Sequence, residues 1–258
     1  MAAPWPSADD VDIVVLAGGD PVATELLPHV GARAWVVAAD SGLELTAGLG
    51  RTADLVVGDL DSVDPALLQA AQAAGTRVER HPRNKHRTDL AIALDAALEC
   101  APARVLVLGG HAGRLDHLLG NALLLCAERY APLQIVARTG PATATVVHGR
   151  ARLAGRPGDL ISLLPVHGSA HGVRTHGLRW PLHDDVLAPG SSRGVSNELV
   201  SPRAEVELAT GTLLAIQPGD DTVAHAGGTE GHRPATDSTA APNADPSLDR
   251  TPDRKETT

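Results

Sequence analysis

The segment Gly58-Asp59-Leu60-Asp61-Ser62 sets two carboxylates two residues apart at the end of a β-branched run, Leu55-Val56-Val57. In an extended backbone, side chains at i and i+2 point to one side, so Asp59 and Asp61 are expected to reach one metal ion, directly or through its waters. Carboxylate oxygens are the hard donors that magnesium takes, and bound magnesium suits a polyphosphate. Gly and Asp recur at four other run ends: Ala17-Gly18-Gly19-Asp20, Ala39-Asp40-Ser41-Gly42, Arg87-Thr88-Asp89 and Gly109-Gly110-His111-Ala112-Gly113-Arg114-Leu115-Asp116-His117. Glycines at such exits let phosphates approach backbone amides, and the planar guanidinium of Arg114 can clamp phosphate oxygens through two bonds. Taken singly, each Asp also suits a helix cap or a turn, Gly18-Gly19 suits a tight turn, and Arg114 suits an ion pair with Asp116. Five exits sharing one pattern point to a common acidic site on which Asp40 and Asp89 converge with Asp59 and Asp61. The chemistry this predicts is phosphoryl transfer.

Such exits need a sheet to place them. From Asp12 to about Val136, β-branched runs (Ile13-Val14-Val15-Leu16, Ala34-Trp35-Val36-Val37, Leu55-Val56-Val57, Arg77-Val78, Val105-Leu106-Val107-Leu108, Gln134-Ile135-Val136) alternate with Ala/Leu-rich segments. The segments predict helices over 21–29, 42–49, 65–74, 88–99 and 115–130, with start signals at Asp20-Pro21, Asp64-Pro65 and Thr88-Asp89. Alternation of this kind predicts an α/β fold, a mostly parallel sheet with helices on both faces whose ligands sit beyond the carboxyl ends of the strands. After about residue 140 the helical period disappears. Short runs such as 159–164, 172–175, 204–208 and 212–216, spaced by Gly, Pro, Ser and His, predict a C-terminal all-β sandwich or barrel. The expected division is a 1–11 extension, a 12–140 α/β catalytic part, a 141–219 β-sandwich and a disordered 220–258 tail poor in large apolar residues.

The chain has 258 residues and a net charge of −9, and the residues after Gly219 carry eight acids against four bases, leaving about −5 for the body. Only Arg83-Asn84-Lys85-His86-Arg87 is locally basic, which argues against a nucleic-acid partner and leaves room for a small phosphate-bearing one. Cys100 and Cys126 have no CxxC spacing and are read as buried, reduced thiols. No run of about eighteen apolar residues exists, so no membrane span is expected. The opening MAAPWPSADD lacks the basic and apolar regions of a signal peptide, so a cytoplasmic location is expected. Scattered histidines, His117, His148, His167, His171 and His176 among them, show neither HxxxH nor HExxH spacing, which argues against zinc. With no Phe, one Tyr and three Trp, any exposed Trp is a candidate ligand surface.

Ala39-Asp40-Ser41-Gly42, Gly58-Asp59-Leu60-Asp61-Ser62, Thr88-Asp89 and the 109–117 motif, together with Thr175-His176-Gly177-Leu178-Arg179-Trp180-Pro181-Leu182 and Gly194-Val195-Ser196-Asn197-Glu198, resemble in order and spacing those of thiamine pyrophosphokinases over about residues 12–217. The resemblance implies a homodimer that binds thiamine between subunits and moves the terminal diphosphate of ATP onto the thiamine hydroxyethyl oxygen, releasing AMP. It further implies that Asp40, Asp59, Asp61 and Asp89 bind Mg2+ and the triphosphate, with Arg114 and Asp116 nearby and Gly18, Gly19, Ser62 and Thr88 completing the ATP site. Asp61, Asp89 and Arg114 are then the expected catalytic set, with Asp61 or Asp89 accepting the hydroxyl proton. Trp180 is expected to pack on thiamine, and Ser196 and Asn197 to bond its aminopyrimidine. One position departs from the family pattern: His86 stands where many members carry an acid, within a run whose Lys85 and Arg87 can meet the triphosphate directly. Two other readings are a diphosphotransferase acting on another hydroxymethyl heterocycle such as a pterin, and a thiamine- or nucleotide-binding regulator without catalysis.

Overall fold

The computed structural model describes residues 11–19, 30–84, 86–102, 104–111 and 113–219. The expected helix at 21–29, residue Lys85, the 220–258 tail and all but the last residue of the 1–11 extension lie outside the described residues.

Six parallel strands form the first part of a large sheet: β1 (Ile13–Leu16), β2 (Trp35–Ala39), β3 (Leu55–Gly58), β4 (Arg77–Arg80), β5 (Arg104–Leu108) and β6 (Gln134–Thr139), in the order β6-β5-β1-β2-β3-β4. β1 and β3 are buried at every residue because both faces are covered. Alternation along the strands divides the apolar side chains between two cores. Ile13, Val15, Val37, Leu55, Val57, Val105 and Val107 point to one face, where α3 (Asp89–Glu99) supplies Leu90, Ile92, Leu94 and Ala97. Val14, Leu16, Val36, Val56, Leu106 and Leu108 point to the other, against Leu43, Leu45, Leu49, Leu68 and Ala71.

That second face is covered by a 3-10 helix (Asp40–Leu45) running into α1 (Thr46–Leu49), and by α2 (Pro65–Ala73). The helix expected over 42–49 is therefore a 3-10 turn followed by one α turn. Gly42 presses on the Leu16 carbonyl, leaving no room for a side chain, and this close approach pulls the segment tight against β1. The Asp64 carboxylate caps α2 by accepting from the Ala66 amide at 2.8 Å, and Thr88 Oγ1 caps α3 by accepting from Ala91 N at 3.2 Å. The helix expected over 115–130 ends sooner: α4 (Leu115–Leu125) stops before a 3-10 turn at Glu128–Tyr130, whose Tyr130 is buried with its hydroxyl 3.0 Å from Ala91 O.

A β6–β7 hairpin turning at Gly140 (φ +54°) carries the large sheet into antiparallel strands. These are β7 (Ala142–Val147), β9 (Leu160–Pro165), β12 (Asn197–Glu198) and β14 (Leu213–Gln217), in the order β7-β14-β9-β12. A second sheet, β11-β10-β13-β8, consists of β8 (Arg150–Ala154), β10 (Ala170–His176), β11 (His183–Leu187) and β13 (Arg203–Glu207). Their inner faces share a core that includes Leu153, Ile161, Leu163, Val173, Leu187, Val206 and Leu213. The expected division near residue 140 falls inside the β6–β7 hairpin, so strand pairing is continuous across it.

One expectation is corrected. Cys126 is buried, and burial pushes its thiol up to about 12, but Cys100 is exposed because it caps the C-terminus of α3, where the chain leaves the core. Among the described residues no helix is long and apolar enough to cross a membrane.

His148, between β7 and β8, places Nδ1 3.2 Å from Thr212 Oγ1, and its buried Nε2 has no hydrogen-bond partner among the described residues. Burial lowers its pKa below the usual 6.5. The unfolded chain then gains a proton at this position before the folded one does, so stability is full above pH 6.5 and is lost as pH falls toward the lowered folded value. His148→Gln is expected to lose less thermal stability than the parent across that interval, as read by unfolding midpoints at stepped pH.

Candidate active site

The order β5-β1-β2 makes the gap between β1 and β5 a topological switch point, the place where open α/β sheets admit ligands. The exits there pack backbone on backbone: Gly110 N donates to Gly18 O at 2.6 Å, and Ala17 N donates to Leu108 O at 2.8 Å. Gly18 (φ +72°) and Gly19 (φ +94°) have no space for a side chain, meeting Ser41 and the His111 carbonyl respectively. Their first role here is therefore close approach between exits.

Beside this point lies a cleft of about 560 Å³, walled by the β1 and β2 exits, the start of α3, α4 and the turn after it. Of the residues singled out from sequence, Asp40, Arg87, Thr88, Asp89 and Asp116 line it, and so does His86. Asp40, Asp59 and Asp89 converge so that one carboxylate oxygen from each lies within 4.8 Å of the others. Asp40 opens its 3-10 helix in the left-handed region (φ +47°), and its buried Oδ1 has no hydrogen-bond partner among the described residues. Burial raises its pKa, assisted by the charges of Asp89, Asp59 and Asp61 and opposed by the Ser41 amide. An orphaned carboxylate oxygen beside two more carboxylates fits a hard divalent cation such as magnesium, which supplies the missing partner and offsets the repulsion.

Asp61 does not join these three. Leu60 is buried and takes φ +63°, which ends the strand-like alternation, so Asp61 turns away. It receives Arg83 Nε at 3.3 Å and the Ser62 hydroxyl at 3.1 Å. Arg114 and Asp116 form an exposed pair, Nη2 to Oδ2 at 2.6 Å, and this bond holds the Asp116 pKa at about 2. Gly18, Gly19, Asp59, Asp61, Ser62 and Arg114 are not among the lining residues of the cleft.

Trp180, Ser196 and Asn197 form a separate group on the β-sandwich. Asn197 is buried, its Oδ1 accepting from Trp180 N (3.1 Å) and Glu198 N (2.9 Å) and its Nδ2 donating to Trp180 O (2.7 Å). This clamps the backbone of Trp180, a residue that is nonetheless 54% exposed. The Arg179 guanidinium lies 5.3 Å from the centre of the Trp180 ring and is itself held by Glu198 at 2.7 Å. Ser196 sits at φ +58°, its amide donating to Ser162 Oγ at 3.1 Å.

Ser41 and His117 of the quoted motifs line the cleft too, and it has walls that the motifs do not mark: Asn121, Arg129 and Tyr130. His117 and Asn121 lie one helical turn apart on α4 behind Asp116, a spacing visible in sequence. Arg129 carries no comparable signal.

A parallel sheet with carboxylates crowning its strand ends, continued into a β-sandwich that presents a clamped Trp, defines an α/β phosphotransferase with a second binding layer. Residues 29–137 match the family model described as thiamin pyrophosphokinase, catalytic domain, and residues 150–213 match that of its vitamin B1 binding domain. A thiamine pyrophosphokinase of Bacillus subtilis (strain 168) is 28% identical over 171 residues, which are 63% of this chain and 77% of that protein. The crystal structure of thiamine pyrophosphokinase from Bacillus subtilis superposes with a TM-score of 0.71 at 25% identity, covering 81% of this chain and 99% of the other. That of thiamin pyrophosphokinase from Geobacillus thermodenitrificans gives 0.69 at 27% identity, covering 81% and 98%. The chain belongs to the thiamin pyrophosphokinase family.

Proposed function

We propose that the chain transfers the β,γ-diphosphate of ATP to the hydroxyethyl oxygen of thiamine, giving thiamine diphosphate and AMP, and that Asp40, Asp59 and Asp89 hold the Mg2+ that accompanies ATP. The observation that carries the reading is the convergence of these three carboxylates, one with an orphaned oxygen, beside the cleft at the strand ends. In the reaction the hydroxyl oxygen bonds to Pβ, the bond from Pβ to the Pα–Pβ bridging oxygen breaks, AMP leaves with that oxygen, and the hydroxyl proton passes to a carboxylate. Bound magnesium would neutralise charge on the transferring phosphates. The residues orient the groups and set the field around them. Asp89, in the first turn of α3 and lining the cleft, is the better placed proton acceptor, and Asp61 would have to release Arg83 to serve. Arg114, at the start of α4, would meet phosphate oxygens once its pair with Asp116 opens, leaving the Asp116 carboxylate beside them to accept from a hydroxyl or a metal-bound water of the nucleotide complex.

The division into a 12–140 catalytic part and a 141–219 thiamine-binding part belongs to this reading, as does a homodimer with thiamine between subunits. In support of the dimer, α4 exposes Leu115, Leu119 and Leu123, spaced four apart along one helix face. Free thiols at Cys100 and Cys126 accord with a cytoplasmic setting.

The test is incubation with ATP, Mg2+ and thiamine, followed by separation of nucleotides and thiamine esters. Equimolar AMP and thiamine diphosphate are expected. ADP with thiamine monophosphate, or turnover only with a hydroxymethylpterin, would replace the reading. A finer check lies in Gly58, which at φ +147° leaves an added Cβ 3.0 Å from Asp89 Oδ1 and 3.1 Å from Asp40 Cβ. Gly58→Ala is expected to raise the Mg2+ concentration for half-maximal turnover by about tenfold, because the methyl group spreads the ligands. An unchanged Mg2+ titration would count against this ligand set.

A further inference from the structure

Asp95 lies on α3, six residues after Asp89, and is only 8% exposed. A carboxylate so buried requires compensation, and it has three partners. Arg129 Nε reaches its Oδ1 at 2.7 Å, the Tyr130 hydroxyl lies 3.0 Å from the same oxygen, and the Arg87 guanidinium pairs with its Oδ2. Arg87 Nη2 also donates to Ala91 O at 3.3 Å. The two guanidiniums arrive from separate elements, one preceding α3 and the other from the turn after α4, yet both line the cleft. Their side chains stay 48% and 60% exposed. Each carries five N–H donors, of which Asp95 and Ala91 occupy only some, so donors remain for an anion. One carboxylate facing two guanidiniums leaves a net positive charge, while Asp40 and Asp89 line the same cleft. A cleft divided in this way suits a metal-bound polyphosphate, with carboxylates for the cation and guanidiniums for phosphate oxygens.

We infer that Arg129 contacts the nucleotide phosphates together with Arg87, and that Asp95 is the positioning residue that fixes both guanidiniums before the ligand arrives. The inference rests on the reading that this cleft takes ATP. An arginine already held by a buried acid loses little side-chain entropy on binding, whereas an unheld one must be ordered by the ligand. Asp95 therefore acts through affinity for phosphate rather than through the reacting atoms.

The experiment uses the full chain with Arg129→Gln and Asp95→Asn, inorganic tripolyphosphate being the probe for phosphate contact. In Arg129→Gln, the KM for ATP and the dissociation constant of tripolyphosphate, measured by calorimetry with Mg2+, are expected to rise together by about five- to tenfold, while the KM for thiamine stays within about twofold. Asp95→Asn is expected to raise the same two constants by about threefold or more, with kcat falling less, a split that general loosening of the fold would not give. If Asp95→Asn does not fold, the Arg129 variant decides. Unchanged tripolyphosphate affinity in Arg129→Gln overturns the inference, even if the parent makes thiamine diphosphate. If the parent makes none, the functional reading fails, and the calorimetric comparison still decides whether Arg129 binds phosphate.

Discussion

Asp59→Asn is expected to lower the rate of thiamine diphosphate formation by about 10³-fold, equivalent to about 4 kcal/mol of lost transition-state stabilisation. The substitution preserves shape and removes one charge from the group formed with Asp40 and Asp89. It should leave the unfolding midpoint of the metal-free protein unchanged or slightly higher, because the Asp59 charge is one of those that raise the Asp40 pKa, and neutralising it relieves that repulsion. Activity is thus lost without any loss of stability, which a folding defect cannot mimic. Stabilisation by added Mg2+ should shrink too, since a ligand that binds the native state stabilises it by RT ln(1 + c/Kd) at free concentration c, an amount that falls as Kd rises. The measurements are kcat at saturating ATP and thiamine, and thermal unfolding with and without Mg2+. Turnover within tenfold of the parent would remove Asp59 from the metal site.

Trp180→Ala is expected to raise the KM for thiamine by about 30-fold, or about 2 kcal/mol, with the KM for ATP within about twofold. Three facts support so large an effect at one side chain. Trp180 is more than half exposed although its backbone is clamped by Asn197, so a flat ring is held ready at the surface. The ring already carries a cation in the Arg179 guanidinium, which shows the face geometry a thiazolium would use. Asn197 spends its carbonyl oxygen on two backbone amides and one amide hydrogen on the Trp180 carbonyl, so Asn197→Ala should weaken thiamine largely through Trp180. Steady-state kinetics with each substrate varied in turn checks the pair. Equal losses for ATP and thiamine would mean that Trp180 supports the fold and does not receive the ring.

Much of the fold was legible because burial on both faces leaves a strong trace. Ile13-Val14-Val15-Leu16 and Val105-Leu106-Val107-Leu108 are unbroken apolar runs, and each became a parallel strand of the large sheet. The strands that left no clear signal are half-exposed ones such as Arg150–Ala154 and His183–Leu187, where charged residues occupy the solvent side and a single position in each is buried. Continuity of the large sheet through the Gly140 hairpin was equally invisible, since a change of composition marks where helices stop and not where hydrogen bonding stops.

By itself, the sequence determined the inventory of the site: Gly and Asp at successive strand ends, a positively charged segment before Thr88, and an uncommon Trp in the β part. Parallel strands deliver their exits to one edge, so residues far apart in the chain had to meet there. Which of them meet was decided by tertiary structure. Asp59 and Asp61 looked equivalent at two-residue spacing, but burial of Leu60 in a left-handed conformation sends one carboxylate to Asp40 and Asp89 and the other to Arg83. Asp95, Arg87 and Arg129 show no spacing rule at all. They are joined because a buried carboxylate on α3 must be neutralised by whatever cations the packing of α3 against the α4 turn brings within reach, and only the folded chain fixes which those are.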